Sequence, residues 1–232
     1  LEILDDLKLK GFFFSNTFQF EKKVGMIETC RYFRNNYFTN INQFYDFFFQ
    51  NLLKKFSKNK LENFFRKKKN FFIKWKKNSP FYSKKDLEFR LVRDFFLQKN
   101  EYDSILIDLF NSKKFDYKTA SKLLHFNQND ILMLSNNNHE IGLHSHNHPV
   151  PITSLSFNQI KKEYKENLTY LKKISKKNID SMAHPNGYYD KNCEKALRDI
   201  NVKFGFSHGY KHLSKKKLNK LNIPRIDHTE LI

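Results

Sequence analysis

The chain has 232 residues, enough for one domain with a sizeable core and within the size that β/α barrels reach without dividing. Its 43 Lys and Arg against 24 Asp and Glu give a formal charge of +19, which favours anionic partners, although lysine spread through a chain also rich in Asn and Phe reads equally as compositional bias. Cys30 and Cys193 lack CxxC partners, which excludes a disulfide framework and a thiolate zinc site, and no apolar run approaches the ~20 residues that span a bilayer.

Leu1, Leu4, Leu7 and Leu9 fall near helical spacing, Gly11 stops the pattern, and Phe12 to Phe14 read as a buried strand. The sequence begins with Leu1 inside this helical pattern, so a preceding signal peptide stays open, and the compartment, cytoplasmic or cell-envelope associated, is not fixed. Residues 28–134 are helical in pattern, heavily charged and poor in strand signals, and are expected to form a helical insertion. Its lysine runs, Arg66 to Lys69 and Lys76 to Lys77, are expected as solvated helix faces, and no nucleic-acid partner is expected.

Beyond residue 134 short apolar runs alternate with helices. Glu140 to Leu143 is a brief strand ending in HSHNHP. A helix then starts with Ser156 as N-cap, Gln159 as capping-box partner and Leu155 with Ile160 as hydrophobic staple, and it runs through Tyr164, Leu168, Leu171 and Ile174 on one face. A strand over residues 179–183, the turn HPNGYYD, a helix over residues 191–199 capped by Asp190 and a strand over residues 202–207 follow. The order strand, helix, strand, helix, strand predicts a parallel α/β arrangement, which places the loops HSHNH, HPNG and SHG together at the C-terminal end of the strands.

His144 and His148, four positions apart, can converge on one divalent ion and leave positions for a carboxylate and water. The spacing alone is weak, and His146 blurs it, although alternation directs His146 away from the side its neighbours share. Ser145 lacks a GxSxG elbow and is not expected as a nucleophile.

EIGLHSHNHP resembles the second motif of the polysaccharide deacetylases, the NodB-like family also called carbohydrate esterase family four. There a strand ends in H-[ST]-x-x-H and both histidines hold the metal. SMAHPNGYYD resembles the third motif, a Pro-x-Gly turn lining the groove, and LEILDDLKLKGFFF resembles the helix and second strand that follow the first motif. The resemblance covers about the first 20 and last 95 residues. It implies a single domain over residues 1–232: an α/β fold, a distorted or incomplete (β/α) barrel of the polysaccharide deacetylase type with the helical insertion. It also implies one divalent metal ion, zinc or a related metal, on His144 and His148.

The implied activity is metal-dependent removal of N-acetyl or O-acetyl groups from a carbohydrate. Backbone amides near Asn186 and Gly187 are expected to face the oxyanion, and His228 beside Asp227, or His208 in its place, to protonate the leaving group. His184 is expected either to cap the turn or to touch substrate, Gly187 to hold a positive φ, and Tyr188 and Tyr189 to stack on a sugar or pack on the next helix. The family's first motif, two adjacent aspartates serving as base and third ligand, has no counterpart. Asp5 and Asp6 fall in the helix after that motif and read as exposed, so the chain is expected to be truncated ahead of Leu1. The alternative is a catalytically inactive carbohydrate- or metal-binding remnant of the same fold.

Overall fold

The structure, a computed structural model, describes residues 2–21, 23–78, 81–149, 151–208 and 218–226. In chain order it forms α1 (Glu2–Asp6), β1 (Phe12–Ser15), α2 (Met26–Asn36), α3 (Ile41–Lys55), α4 (Lys58–Lys67), α5 (Lys69–Asn78) and α6 (Lys84–Leu91). A π-helical turn (Val92–Phe96) leads into α7 (Lys99–Ser112) and α8 (Tyr117–Leu123). Then come α9 (Gln128–Asn136), β2 (Glu140–Leu143), α10 (Phe157–Ser175), β3 (Ser181–Ala183), α11 (Lys191–Asp199) and β4 (Phe204–Phe206). The chain divides into two compact units, one of Leu1–Lys23 with His125–Ile232 and one of Val24–Leu124.

In the first unit the four strands form one parallel sheet in the order β1-β2-β3-β4, with Phe14 opposite Gly142 and Met182 opposite Gly205. Strands in sequential order with helical connections are the arc of a (β/α) barrel. Ile141 and Leu143 of β2 are buried beside Ile160, Tyr164 and Leu171 of α10, so the helix lays its apolar stripe on the sheet. Burial of each such side chain stabilises by about 1.5–3 kcal/mol. Helix α10 starts where its capping chemistry dictates: Gln159 donates its backbone N–H to the Ser156 hydroxyl, and the Gln159 side chain accepts from the Ser156 N–H at 2.9 Å. The Asp190 carboxylate likewise accepts from the Cys193 N–H at 2.8 Å to begin α11.

Helix α9, assigned by the sequence reading to the helical insertion, instead belongs to this first unit. Its Ile131 and Leu134 are buried in the same core as β2 and α10, because their spacing puts both on one helix face. The second unit builds its own core from aromatic rings, with Phe33, Phe44, Phe48, Phe89 and Phe110 buried and meeting largely edge to face.

Just past β3, the buried His184 ring joins two segments of the first unit. Its Nε2–H donates to the Leu221 carbonyl at 2.8 Å, and its backbone N–H donates to the Phe206 carbonyl at 2.9 Å. Nδ1 is buried without a hydrogen-bond partner, so a second proton there would find no acceptor. Burial pushes the His184 pKa down to about 4, opposed by the Leu221 bond and aided by the charge of Arg225. His144 is pushed down to about 4 by burial and by His148.

Gly142, in β2, has no room for a β-carbon: one would clash with the edge of the Phe14 ring and fall 2.7 Å from Ser181 Oγ. Gly142→Ala is therefore expected to lower the unfolding free energy by about 1–3 kcal/mol, read as a lower denaturant midpoint at unchanged m-value. The two depressed histidines set a pH dependence. Between about pH 4 and 6.5 the unfolded imidazoles bind protons that the folded ones refuse, so their contribution is complete above pH 6.5 and is lost as pH falls toward 4. Each contributes a slope of up to about 1.4 kcal/mol per pH unit. His184→Gln, which keeps a donor for Leu221, is expected to remove about one proton from that slope in denaturation curves between pH 7 and 5.

Candidate metal centre

All four strands are parallel, so the loops after β2, β3 and β4 leave the sheet at one end, as the sequence order requires. Residues 144–149, between β2 and α10, are irregular backbone. Ser145 (φ 62°) and His148 (φ 53°) both lie in the left-handed region. Non-glycine residues take that conformation only where their surroundings enforce it.

The enforcing contacts are specific. The carboxylate of Glu163, on α10, accepts the Asn147 backbone N–H at 2.7 Å and its side-chain amide at 2.8 Å, clasping the loop from both sides. The Ser145 hydroxyl accepts from the His148 N–H at 3.1 Å, tightening the turn between the two histidines. Beneath them, the fully buried Asn167 amide accepts from the His144 N–H at 2.9 Å and donates to the Ser15 carbonyl at 3.0 Å and to Thr17 Oγ1 at 3.1 Å. Glu163 and Asn167 were not singled out from the sequence. Their i, i+4 spacing on α10 is the one signal that both face the same loop.

These contacts bring His144 and His148 together, with ring centroids 4.9 Å apart and planes inclined at 55°. His144 Nδ1 lies 2.8 Å from the Ala183 carbonyl, which can only accept, so Nδ1 carries the proton and Nε2 the lone pair. Metal-bound histidines are commonly oriented in this way by a backbone carbonyl on the other nitrogen. The low pKa of His144 keeps that lone pair available at neutral pH. The donor chemistry thus fits two positions of a divalent site. Among the described residues no group of three or more His, Cys, Asp or Glu converges there.

His146 is turned to other work. Its buried ring stacks on Tyr170 with centroids 5.6 Å apart, Nε2 faces the Glu21 carboxylate at 3.2 Å, and Nδ1 is hydrogen-bonded with the Thr17 hydroxyl at 2.8 Å. Asp5 lies 3.4 Å from Nε2 of His139, the residue before β2, and thus at the opposite end of that strand from His144.

In the turn after β3, Gly187 has the expected positive φ, 73°, and its N–H donates to the His184 carbonyl at 2.9 Å, a bond internal to the turn. The His184 ring is buried and bonded to the Leu221 carbonyl. Asn186 (φ 50°) and Tyr188 are exposed, whereas Tyr189 packs on the His184 ring and donates its hydroxyl to Glu194 of α11 at 2.6 Å. His208 is exposed, with its Cβ where a side chain at Gly187 would fall. His228 and Asp227 lie outside the described residues. Arg225 has contacts that its place in the sequence does not reveal. It donates to the Ser207 carbonyl at 3.1 Å, and its charge depresses the pKa of both His144 and His184.

No curated protein matches the chain. Among solved structures it is similar to a CE4 family pseudoenzyme from Bacillus anthracis, at 22% identity over 33% of this chain and 27% of that one, with a TM-score of 0.32. It is similar to the Streptococcus pyogenes deacetylase PplD, crystallised with acetate, at 18% identity over 55% of this chain and 57% of that one, with a TM-score of 0.40. It is also similar to the BpsB deacetylase domain from Bordetella bronchiseptica, at 11% identity over 48% and 50% of the two chains, with a TM-score of 0.38. The chain thus spans little more than a quarter of the pseudoenzyme and about half of each deacetylase. The profile of the family described as polysaccharide deacetylase matches residues 98–205, a segment that begins in α7 and takes in β2, α10, β3 and α11. Over that segment the chain is similar to the polysaccharide deacetylase family, and its four parallel strands in sequential order form the arc of a (β/α) barrel.

Proposed function

We propose that the loop after β2 holds one divalent metal ion, zinc or a related metal, through His144 and His148, in a site that removes acetyl groups from a carbohydrate by hydrolysis. The observation that carries this reading is the bond from His144 Nδ1–H to the Ala183 carbonyl, which leaves the lone pair on Nε2 of a ring held neutral. A half-buried imidazole with one nitrogen fixed by a carbonyl and a second imidazole 4.9 Å away between ring centroids suits a metal ligand. A bound divalent ion would lower the pKa of its water and polarise the acetyl carbonyl.

The protein's own residues supply orientation. Glu163 and Asn167 keep the two imidazoles in one geometry. The exposed Tyr188 offers a ring to a sugar face, and the exposed Asn186 a polar contact beside it. Arg225 adds positive charge near His144, which favours an oxyanion. A second reading has its own support: among the described residues no carboxylate joins the two histidines, which suits a chain that binds metal or carbohydrate without turning it over.

Zinc titration calorimetry and acetate release from N-acetylated and O-acetylated oligosaccharides separate these readings. One ion per chain and released acetate, both lost in His144→Ala and His148→Ala, are expected for the hydrolase. Metal binding without acetate selects the binding remnant, and no metal binding removes the assignment of the two histidines. Glu163→Gln, which replaces the acceptor for one Asn147 donor while keeping the fold, is expected to weaken zinc binding about 10- to 100-fold, read by the same calorimetry.

A further inference from the structure

Arg31, Arg90, Arg93 and Arg198 each sit 2.5–2.8 Å from a carboxylate. Arg225 differs: among the described residues no carboxylate pairs with it. Its guanidinium is nevertheless held in place. Nε–H donates to the Ser207 carbonyl at 3.1 Å, and the guanidinium carbon lies 5.9 Å from the centre of the Phe14 ring.

Those two contacts locate the charge. Phe14 belongs to β1 and Ser207 follows β4, the first and last strands of the sheet, so a side chain that meets both lies across the face where the Phe14 and Phe206 rings meet at 5.5 Å. Ser207 and His144 each follow a parallel strand directly, and so stand at the same end of the sheet. With Nε committed, the Nη1 and Nη2 edge remains, a planar pair of donors that matches the two oxygens of a carboxylate or phosphate. The residue is exposed, so a ligand reaches it, yet partial burial of the guanidinium lowers its pKa and no acidic neighbour raises it. A cation that gives up hydration without a counter-ion carries a cost that a bound anion offsets.

We propose that Arg225 forms an anion subsite beside His144 and His148, so that the carbohydrate taken by this site is an acidic one, bearing a carboxylate or a phosphate. The inference rests on the carbohydrate reading proposed above and adds the charge of that carbohydrate. An oxyanion formed during hydrolysis exists only in passing. A guanidinium left without a counter-ion in the resting protein suits a charge that the ligand carries throughout. The formal charge of +19 draws any acidic glycan toward the chain, but scattered lysines set no position for it. The planar fork of one anchored arginine does.

Calorimetry on the full chain, with a chelator present, tests this with two matched pairs of probes: trigalacturonic acid and its uncharged methyl ester, and a mannose trisaccharide with and without one phosphate. Tighter binding of an acidic probe than of its neutral twin is expected, and the pair that shows it names carboxylate or phosphate. Arg225→Gln is expected to weaken that acidic probe about 10- to 100-fold. Arg225→Lys, which keeps the charge and loses the fork, is expected to fall between the two. No preference for either acidic probe, an undiminished preference in a folded Arg225→Gln variant, or the same loss for acidic and neutral probes would each overturn the inference. Because the chelator removes metal, the result is separate from the zinc titration. A chain that binds no zinc but loses the acidic probe with Arg225→Gln keeps the subsite and not the metal centre, and the converse result keeps the metal centre alone.

Discussion

One side chain sets the geometry on which the rest of the site depends. Where parallel strands end and their loops turn away, backbone groups lose their ladder partners and must find others or suffer desolvation. Asn167 supplies those partners from a helix rather than from a strand, reaching His144 at the end of β2 and Ser15 and Thr17 at and beyond the end of β1. It is fully buried, and each of these bonds lies in a medium where an unmade hydrogen bond costs about 1–3 kcal/mol. The position of His144 is thereby fixed through its backbone before its imidazole makes any contact.

With that anchor in place, the two histidines are held by different means. His144 is immobilised at both ends, its N–H on Asn167 and its Nδ1 on the Ala183 carbonyl. His148 belongs to a loop in left-handed backbone, kept there by the Ser145 hydroxyl and by the Glu163 clasp one residue earlier. Strain of about 1–3 kcal/mol per such residue persists only where several contacts over-determine it, and here a carboxylate, a hydroxyl and a buried amide converge within a few residues. His146 joins the same network from behind, since Thr17 links it to Asn167. The alternation of three histidines in the sequence therefore resolves into a facing pair and one buried tie.

Much of this unit was legible in the sequence because local chemistry and tertiary structure agree there. Ser156 and Gln159 form the capping box where they stand, Asp190 caps α11, and β2 has the predicted bounds. The pair His144 and His148 could be named from spacing and from resemblance to a family motif. What stayed hidden was whatever depends on long-range partners. Asn167 and Glu163 are ordinary polar residues in a helix of nineteen, and nothing local tells that their partners lie in a loop and at a strand end. The turn at Gly187 illustrates the same limit. Its positive φ follows from residue type, whereas the commitment of its N–H to His184 follows from the path of the chain.

The lysines show how the same limit applies to charge. Counted along the sequence, they support a compositional bias as readily as a binding surface, because a count does not tell which cations have partners. The fold separates them: Lys55, Lys85, Lys161 and Lys203 sit 2.6–2.9 Å from carboxylates, so part of the excess is offset inside each unit. Such exposed pairs contribute little stability, about 0–1 kcal/mol each, so their main effect is on where field remains. Which lysines are paired is therefore a property of the folded chain, set by carboxylates up to 53 positions away in sequence, as for Lys55 and Asp108, and a count along the sequence carries none of it.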